Sequence, residues 1–240
     1  MKKALFLWLA LTLVLLAHPA PAEAGGDKDE AFRQARLELV ARHIEAGGIK
    51  DPAVLQAMRT VPRHLFVPPV LQSWAYFDQP LPIGYGQTIS QPYVVAYMTE
   101  ILGLKGEEKV LEIGAGSGYQ AAVLAEIVTE VYSIEIIPEL YAQAKERLTN
   151  LGYDKVELKA ADGYYGWPKK APFDAIIVTC AAAHIPPPLI KQLKRGGRMV
   201  IPVGPPMFIQ TIVLVKKEMD GQVKTTSLLP VTFVPLVREE

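Results

Sequence analysis

Apolar positions first recur at a helical spacing. Phe32, Ala35, Leu39, Val40 and Ile44 share one face, and Gly47-Gly48 can end the helix they predict. Asp51-Pro52 predicts a second, short helix, with Asp as N-cap and Pro at the first helical position. Between residues 61 and 83 the pattern lapses. Pro62, Pro68, Pro69, Pro80 and Pro82 fall there, a density that excludes long regular structure. Pro92 then opens a helix carrying Tyr93 to Leu102.

Past Leu102 short β-rich runs alternate with helical ones. The predicted strands are KVLEI (109–113), VYSIE (131–135), KVELK (155–159), FDAIIVT (173–179) and RMVIPV (198–203). Helices are predicted up to about Val128, from Pro138 to Asn150, and near Pro188 to Leu193. This alternation implies βαβ units, hence a parallel sheet covered by helices on both faces. FDAIIVT is apolar for most of its length, as a central strand buried on both sides requires. The last segment, TIVLVKKEMDGQVKTTSLL, reads instead as an antiparallel hairpin turning at Asp220-Gly221. The fold class is therefore α/β: a mostly parallel Rossmann-like sheet, a C-terminal antiparallel hairpin, and an N-terminal helical and proline-rich segment.

The N-terminus carries a different signal. Lys2 and Lys3 precede an uncharged apolar run from Ala4 to Ala17, then Pro19, Pro21 and the small-x-small set Ala22-Glu23-Ala24. That is the layout of a secretory signal peptide cleaved after Ala24, and it predicts export to a periplasm. The expected organisation is a signal peptide over 1–24, a flexible junction over 25–30 (GGDKDE), and one domain over 31–240. Within that domain, 31–102 forms a substrate-side segment and 103–240 the Rossmann-like core.

Composition narrows the chemistry. Lys plus Arg equals Asp plus Glu at 25 each, with no long basic stripe, which argues against a nucleic-acid partner. The one cysteine, Cys180, excludes an internal disulfide and a multi-thiolate zinc site. The four histidines show no metal-ligand spacing, so no metal is expected. Since no exposed apolar stripe is evident, a monomer is expected.

LEIGAGSGY (111–119) places Gly114, Gly116 and Gly118 directly after a strand and before a helix. Glycines there permit a tight turn and close approach of a ligand to the backbone. A dinucleotide fingerprint would need glycine at position 119, where this chain has Tyr119. GxGxG with Glu112 two residues ahead is similar to the pattern of S-adenosylmethionine-dependent methyltransferases. In that setting Glu112 lies near the methionine ammonium. Glu135, ending the next strand, can accept both ribose hydroxyls of an adenosine. Asp162 and Gly163 follow the third strand, where Asp162 can accept from an adenine amino group.

The resemblance becomes specific upstream. VPRHLFVP (61–68), PLPIGYGQTISQPYVVAYMTEIL (80–102), VLEIGAGSGYQAAVLA (110–125), FDAIIVTCAAAHIPPPLIKQLKRGGRMVIPVG (173–204) and FVPLV (233–237) resemble the protein-L-isoaspartate O-methyltransferases. The resemblance implies methyl transfer from S-adenosylmethionine to the abnormal carboxylate of L-isoaspartyl residues in damaged proteins and peptides. It assigns Ser90 of GQTISQP as the active-site residue, with Thr88 and Gln91 as substrate-positioning neighbours. Thr88 and Ser90 stand just before a helix N-terminus, whose free N–H groups and dipole would favour the substrate carboxylate. Alternatively these hydroxyls cap the helix. His184 departs from the acidic residue that relatives often carry there. The family's usual home is the cytoplasm, which sets an alternative to export. Two other functions stay open: a methyltransferase for a small carboxylic acid, and an exported binder of altered peptides without turnover.

Overall fold

The computed structural model describes residues 28–205 and 208–239. The expected signal peptide over 1–24, and Gly25 to Asp27 of the expected junction, lie outside the described residues. The rest of that junction is not flexible chain. Lys28, Asp29 and Glu30 form the first turn of α1 (Lys28–Leu39), where Arg33 reaches back to the Glu30 carboxylate at 2.6 and 2.7 Å.

The chain order then runs α2 (Pro52–Thr60), β1 (Leu81–Gly84), β2 (Gln87–Ile89), α3 (Pro92–Leu102), β3 (Lys109–Ile113), α4 (Tyr119–Ala125) and β4 (Glu130–Glu135). It continues with α5 (Pro138–Asn150), β5 (Val156–Ala160), β6 (Phe173–Val178), α6 (Pro187–Gln192), β7 (Leu193–Val203), β8 (Gln210–Lys217) and β9 (Val223–Val231). The start signals operate as read. Asp51 accepts from the N–H groups of Ala53 and Val54, and Pro52, Pro92 and Pro138 each occupy a first helical turn. One helix departs from a uniform period: α1 passes into a π-helical turn over Val40–Glu45, with Ala46 N–H donating to Ala41 O.

Seven strands form the main sheet in the order β5-β4-β3-β6-β7-β8-β9. β5, β4, β3, β6 and β7 are parallel neighbours, while β8 pairs antiparallel with both β7 and β9. The strand order reverses direction at the β3–β6 junction, which opens a crevice at the carboxyl ends of β3, β4 and β6. The central strands β3 and β6 are buried on both faces. In β3, Val110 packs with Leu102, Leu124, Leu140 and Leu148 of the helices on one side. Leu111 and Ile113 pack with Leu189 and Trp167 on the other.

The proline-rich segment supplies what the hydrophobic pattern does not show. β1 and β2 form a small antiparallel hairpin over LPIGYGQTI (81–89), and its tip, Gly84-Tyr85-Gly86, has φ of 94°, 53° and 70°. Two flanking glycines make this run of left-handed residues accessible. The segment is anchored by Arg63, which is fully buried. Its Nε donates to Ala75 O at 2.9 Å, its Nη2 to Gln79 O at 3.3 Å, and its guanidinium lies 5.0 Å from the Tyr119 ring centroid. Burial lowers the Arg63 pKa to about 10, which leaves it charged at neutral pH. His64 is structural too: it stacks on Phe32 at 4.1 Å and shares a 2.7 Å hydrogen bond with the Tyr76 hydroxyl.

Arg63→Met is expected to lower the thermal unfolding midpoint. Two hydrogen bonds from a charged donor are lost, each worth about 1.5–3 kcal/mol, and the relieved burial of the cation offsets part of that. A net loss of about 2 kcal/mol corresponds to about 4–8 °C for a domain of this size. Calorimetry of the two proteins decides it; an unchanged midpoint would remove Arg63 as the anchor of residues 75–79.

Candidate active site

The glycine turn follows from the end of β3. Gly114 and Ala115 both donate N–H to Ile134 O on the adjacent strand, and the chain then turns through Gly116 and Gly118 into α4. All three glycines have left-handed φ, at 95°, 54° and 88°. A Cβ on Gly114 would stand 2.7 Å from Thr179 Oγ1, and one on Gly118 would stand 3.2 Å from Leu148. Gly114 and Gly116 border a cavity of about 720 Å³, while Gly118 sits behind them against α5.

Glu112 forms part of the cavity floor and is fully buried. One carboxylate oxygen accepts from the Ser133 hydroxyl, its cross-strand neighbour on β4. The other, Oε1, has no hydrogen-bond partner among the described residues. Burial pushes this carboxyl up to about 8, and the nearby Glu135 charge adds to the rise. A buried acceptor without a partner costs about 1–3 kcal/mol, so the floor is prepared for a ligand carrying a donor.

Glu135 lies at the end of β4 and faces the same cavity. Its Oε1 accepts from Ile136 N–H and Ile137 N–H, both at 2.9 Å, and its Oε2 accepts from Gly116 N–H at 2.7 Å. The carboxylate thus ties the glycine turn to the start of α5. With about four lone-pair sites in all, it keeps capacity for a further donor.

Asp162 is turned away. Its Oδ1 accepts from Tyr164 N–H at 2.9 Å and its Oδ2 from Arg238 Nε at 2.8 Å, while Gly163 provides the cavity wall. Gly163 fits because a Cβ would collide with the Ile113 side chain. The Arg238 guanidinium also lies over the Tyr164 ring at 3.7 Å. Arg238 ends a strap, Val234 to Val237, that completes the cavity wall. The strap is held to the end of β6 by Ala181 N–H to Val234 O and Leu236 N–H to Ala181 O, both 2.8 Å. Sequence reasoning singled out FVPLV only as part of a resemblance. No local signal places a C-terminal segment against a distant strand end.

A second, more open groove of about 1240 Å³ adjoins the first. Thr88, Ser90, Thr179 and Val234 border both spaces, which puts the two hydroxyls of GQTISQP at their junction. Gln91 borders only the open groove, and its amide Nε2 donates to Asp78 Oδ2 at 2.9 Å.

The start of α3 differs from expectation. Neither Thr88 nor Ser90 caps it: Gln91 occupies the N-cap position without a side-chain cap. Pro92 has no N–H, so Tyr93 offers the first free donor, and Asp78 Oδ1 takes it at 2.8 Å. A carboxylate of the chain itself thus fills the place proposed for the substrate anion. The sequence missed Asp78 because the contact joins residues 15 apart across a proline-rich turn.

Tyr119 is buried beneath Arg63 and also borders the first cavity, Trp167 packs in the second core cluster, and Tyr85 is exposed at the hairpin tip. Cys180 is buried, and burial pushes its thiol up, away from the reactive thiolate. His184 Nε2 lies 3.3 Å from the Tyr164 hydroxyl, outside both cavities. Among the described residues no group of His, Cys, Asp and Glu is arranged to hold a metal ion.

A family model described as Protein-L-isoaspartate(D-aspartate) O-methyltransferase (PCMT) matches residues 34–240. A Syntrophobacter fumaroxidans protein named Protein-L-isoaspartate O-methyltransferase 2 is 52% identical over 237 residues, covering 95% of this chain and 96% of its own length. An Opitutus terrae protein named Protein-L-isoaspartate O-methyltransferase is 51% identical over 240 residues, with both chains covered completely. A solved structure of the same name superposes with a TM-score of 0.74 at 30% identity over 85% of this chain, which spans 65% of that longer one. A Plasmodium falciparum structure assigned to this enzyme type, in complex with S-adenosyl-L-homocysteine, shares the fold with a TM-score of 0.73 at 22% identity, covering 85% and 99% of the two chains. The chain belongs to the protein-L-isoaspartate O-methyltransferase family.

Proposed function

We propose that this enzyme transfers a methyl group from S-adenosylmethionine to the free α-carboxyl of L-isoaspartyl residues in damaged proteins and peptides. The observation that carries the reading is the meeting of two cavities at Thr88 and Ser90. The first has an acidic floor and a glycine wall, and the second is a groove open to solvent beside it. The residues present fit the cofactor. The unpartnered Glu112 Oε1 suits its ammonium, Gly114 and Gly116 leave the wall free of side chains, and Glu135 keeps acceptor capacity for one ribose hydroxyl. Gly163 and the strap border the same space.

When bound, the cofactor supplies a methyl group on a sulfonium, activated toward an oxygen nucleophile. The chain's residues then have a modest chemical task. A carboxylate is already ionised and nucleophilic at neutral pH, so no side chain must remove a proton. Ser90, with Thr88 beside it, donates to the acceptor carboxylate and aligns one oxygen for in-line attack. The resulting ester closes to a succinimide as the neighbouring backbone nitrogen displaces methanol, and water reopens the ring, partly to normal aspartate. Export is part of the proposal, supported by Lys2, Lys3, the apolar run and Ala22-Glu23-Ala24.

The Glu112 carboxyl sets a pH dependence. Its folded pKa, about 8, is raised above its ordinary value of 4.5. The folded state therefore holds the proton more tightly. Stability from this group is full below about 4.5, falls as pH rises to about 8, and is level above. Glu112→Gln is expected to flatten that slope in thermal melts without cofactor. If the ionised carboxylate receives the ammonium, binding below pH 8 releases a proton, detectable by titration calorimetry in buffers of different ionisation enthalpy. An identical proton release by Glu112→Gln would take Glu112 out of cofactor binding.

Ser90→Ala is expected to lower kcat on an isoaspartyl peptide by about tenfold or more, with cofactor affinity near normal, since misalignment acts on the transfer step. The normal aspartyl twin and small carboxylic acids should not be methylated. Wild-type turnover by the variant would leave Ser90 without a role in transfer.

The place of action is tested on native cells. Fractionation and N-terminal sequencing should recover a periplasmic chain beginning at or near Gly25. Recovery of a chain starting at Met1 in the cytosol refutes export.

A further inference from the structure

Asp78 borders neither cavity, yet both of its oxygens accept from residues within three positions of Ser90. Oδ1 accepts from Tyr93 N–H at 2.8 Å and Oδ2 from the Gln91 side chain at 2.9 Å. These bonds bracket Pro92, two residues past Ser90, where the chain passes from β2 into α3. Pro92 restricts the residue before it, and the Asp78 bonds fix the residues on either side of the proline. The carboxylate is itself held in place. Gln79 N–H donates to Phe77 O at 2.8 Å, and the buried Arg63 grips Ala75 O and Gln79 O on either side of the turn. A continuous set of contacts therefore runs from a buried cation, through Asp78, to the loop that presents Ser90.

The charge has a second effect. The N-terminal end of a helix carries about half a positive charge, and Asp78 already opposes it at α3. An incoming carboxylate gains little there and meets a like charge. It is left to Thr88 and Ser90, hydroxyl-bearing residues that border both spaces. A bare helix end would offer a competing site for the acceptor, displaced from the hydroxyls.

We infer that Asp78 is a positioning residue for methyl transfer, acting through Gln91 and the first turn of α3 to set Ser90 and to keep the acceptor carboxylate off the helix end. This rests on the role proposed for Ser90. A cap that served only to stabilise α3 would engage the backbone donor alone; the second oxygen, spent on a side chain that borders the peptide groove, distinguishes Asp78 from one.

The test is a double-mutant cycle on the full chain, read by methyl transfer to an isoaspartyl peptide. Asp78→Ala is expected to lower kcat by about tenfold, the scale on which small misplacements act, with the cofactor dissociation constant within about twofold of normal. The decisive readout is coupling. If Asp78 works through Ser90, Asp78→Ala costs little more once Ser90→Ala is present, whereas independent effects multiply. Multiplying losses, or a normal kcat for Asp78→Ala, overturn the inference while leaving the Ser90 reading intact. A normal kcat for Ser90→Ala overturns both. Should Asp78→Ala fail to fold, Asp78→Asn replaces it in the same cycle. Asparagine can still accept from Tyr93 N–H but lacks the charge and the second acceptor, so a several-fold loss of kcat, again absorbed by Ser90→Ala, is expected.

Discussion

A carboxyl group buried in the central strand, with one oxygen left unpartnered, is the constraint around which this site is arranged. Glu112 stands where an apolar residue would serve the sheet better. Its neighbours in β3, Val110, Leu111 and Ile113, are all fully or almost fully buried hydrophobics. The sheet accommodates it with one cross-strand hydroxyl, Ser133, and no cation. That arrangement is more favourable with the proton held or with a ligand donor supplied, which couples the state of the floor to occupancy of the cavity above it.

Other carboxylates in the neighbourhood join segments that have no other reason to meet. Glu135 binds the glycine turn to the α5 start, Asp162 binds the C-terminal strap to the turn after β5, and Asp78 binds the proline-rich segment to α3. Each accepts from a backbone N–H as well as from a second segment or a side chain. Backbone donors at turns need such partners, and placing charged acceptors there makes the bonds stronger than neutral ones. The consequence is a cavity whose walls are cross-braced by side chains that occupy little of its volume.

The core of the fold was legible because it rests on local periodicity. The βαβ alternation from β3 to β7 and the hairpin turn at Asp220-Gly221 are written in runs of a few residues, as are the glycine turn and the acidic strand ends. Boundaries moved where pairing, not pattern, decides them. β7 begins at Leu193 rather than Arg198, because Leu193 finds Phe173 on β6 before a register shift. The β1–β2 hairpin was hidden by its prolines, and the π-turn after α1 preserved an apparently helical spacing. The strap and the Asp78 cap are contacts between distant segments, and no short window contains both partners. The carboxylate of Asp162 illustrates the same limit: its position at a strand end was readable, but its turn toward Arg238 was not.

The division of labour follows from these supports. The Rossmann-like core contributes Glu112, Glu135 and the glycine turn, features that hold a nucleoside and an amino acid in many chemical settings. In the proposed function, the groove for a peptide carboxylate comes from outside that core, from Thr88 in β2, Ser90 just after it, and the strap after β9. The hairpin strands are only three or four residues long, and the strap has no helix or strand of its own. Their precision has to come from side-chain anchoring, which accounts for a fully buried arginine in a segment so rich in proline. Proline limits the conformations open to that segment before folding, and Arg63 selects among those that remain. A catalyst that needs no general base, and works by alignment, depends on that kind of support more than on any reactive group.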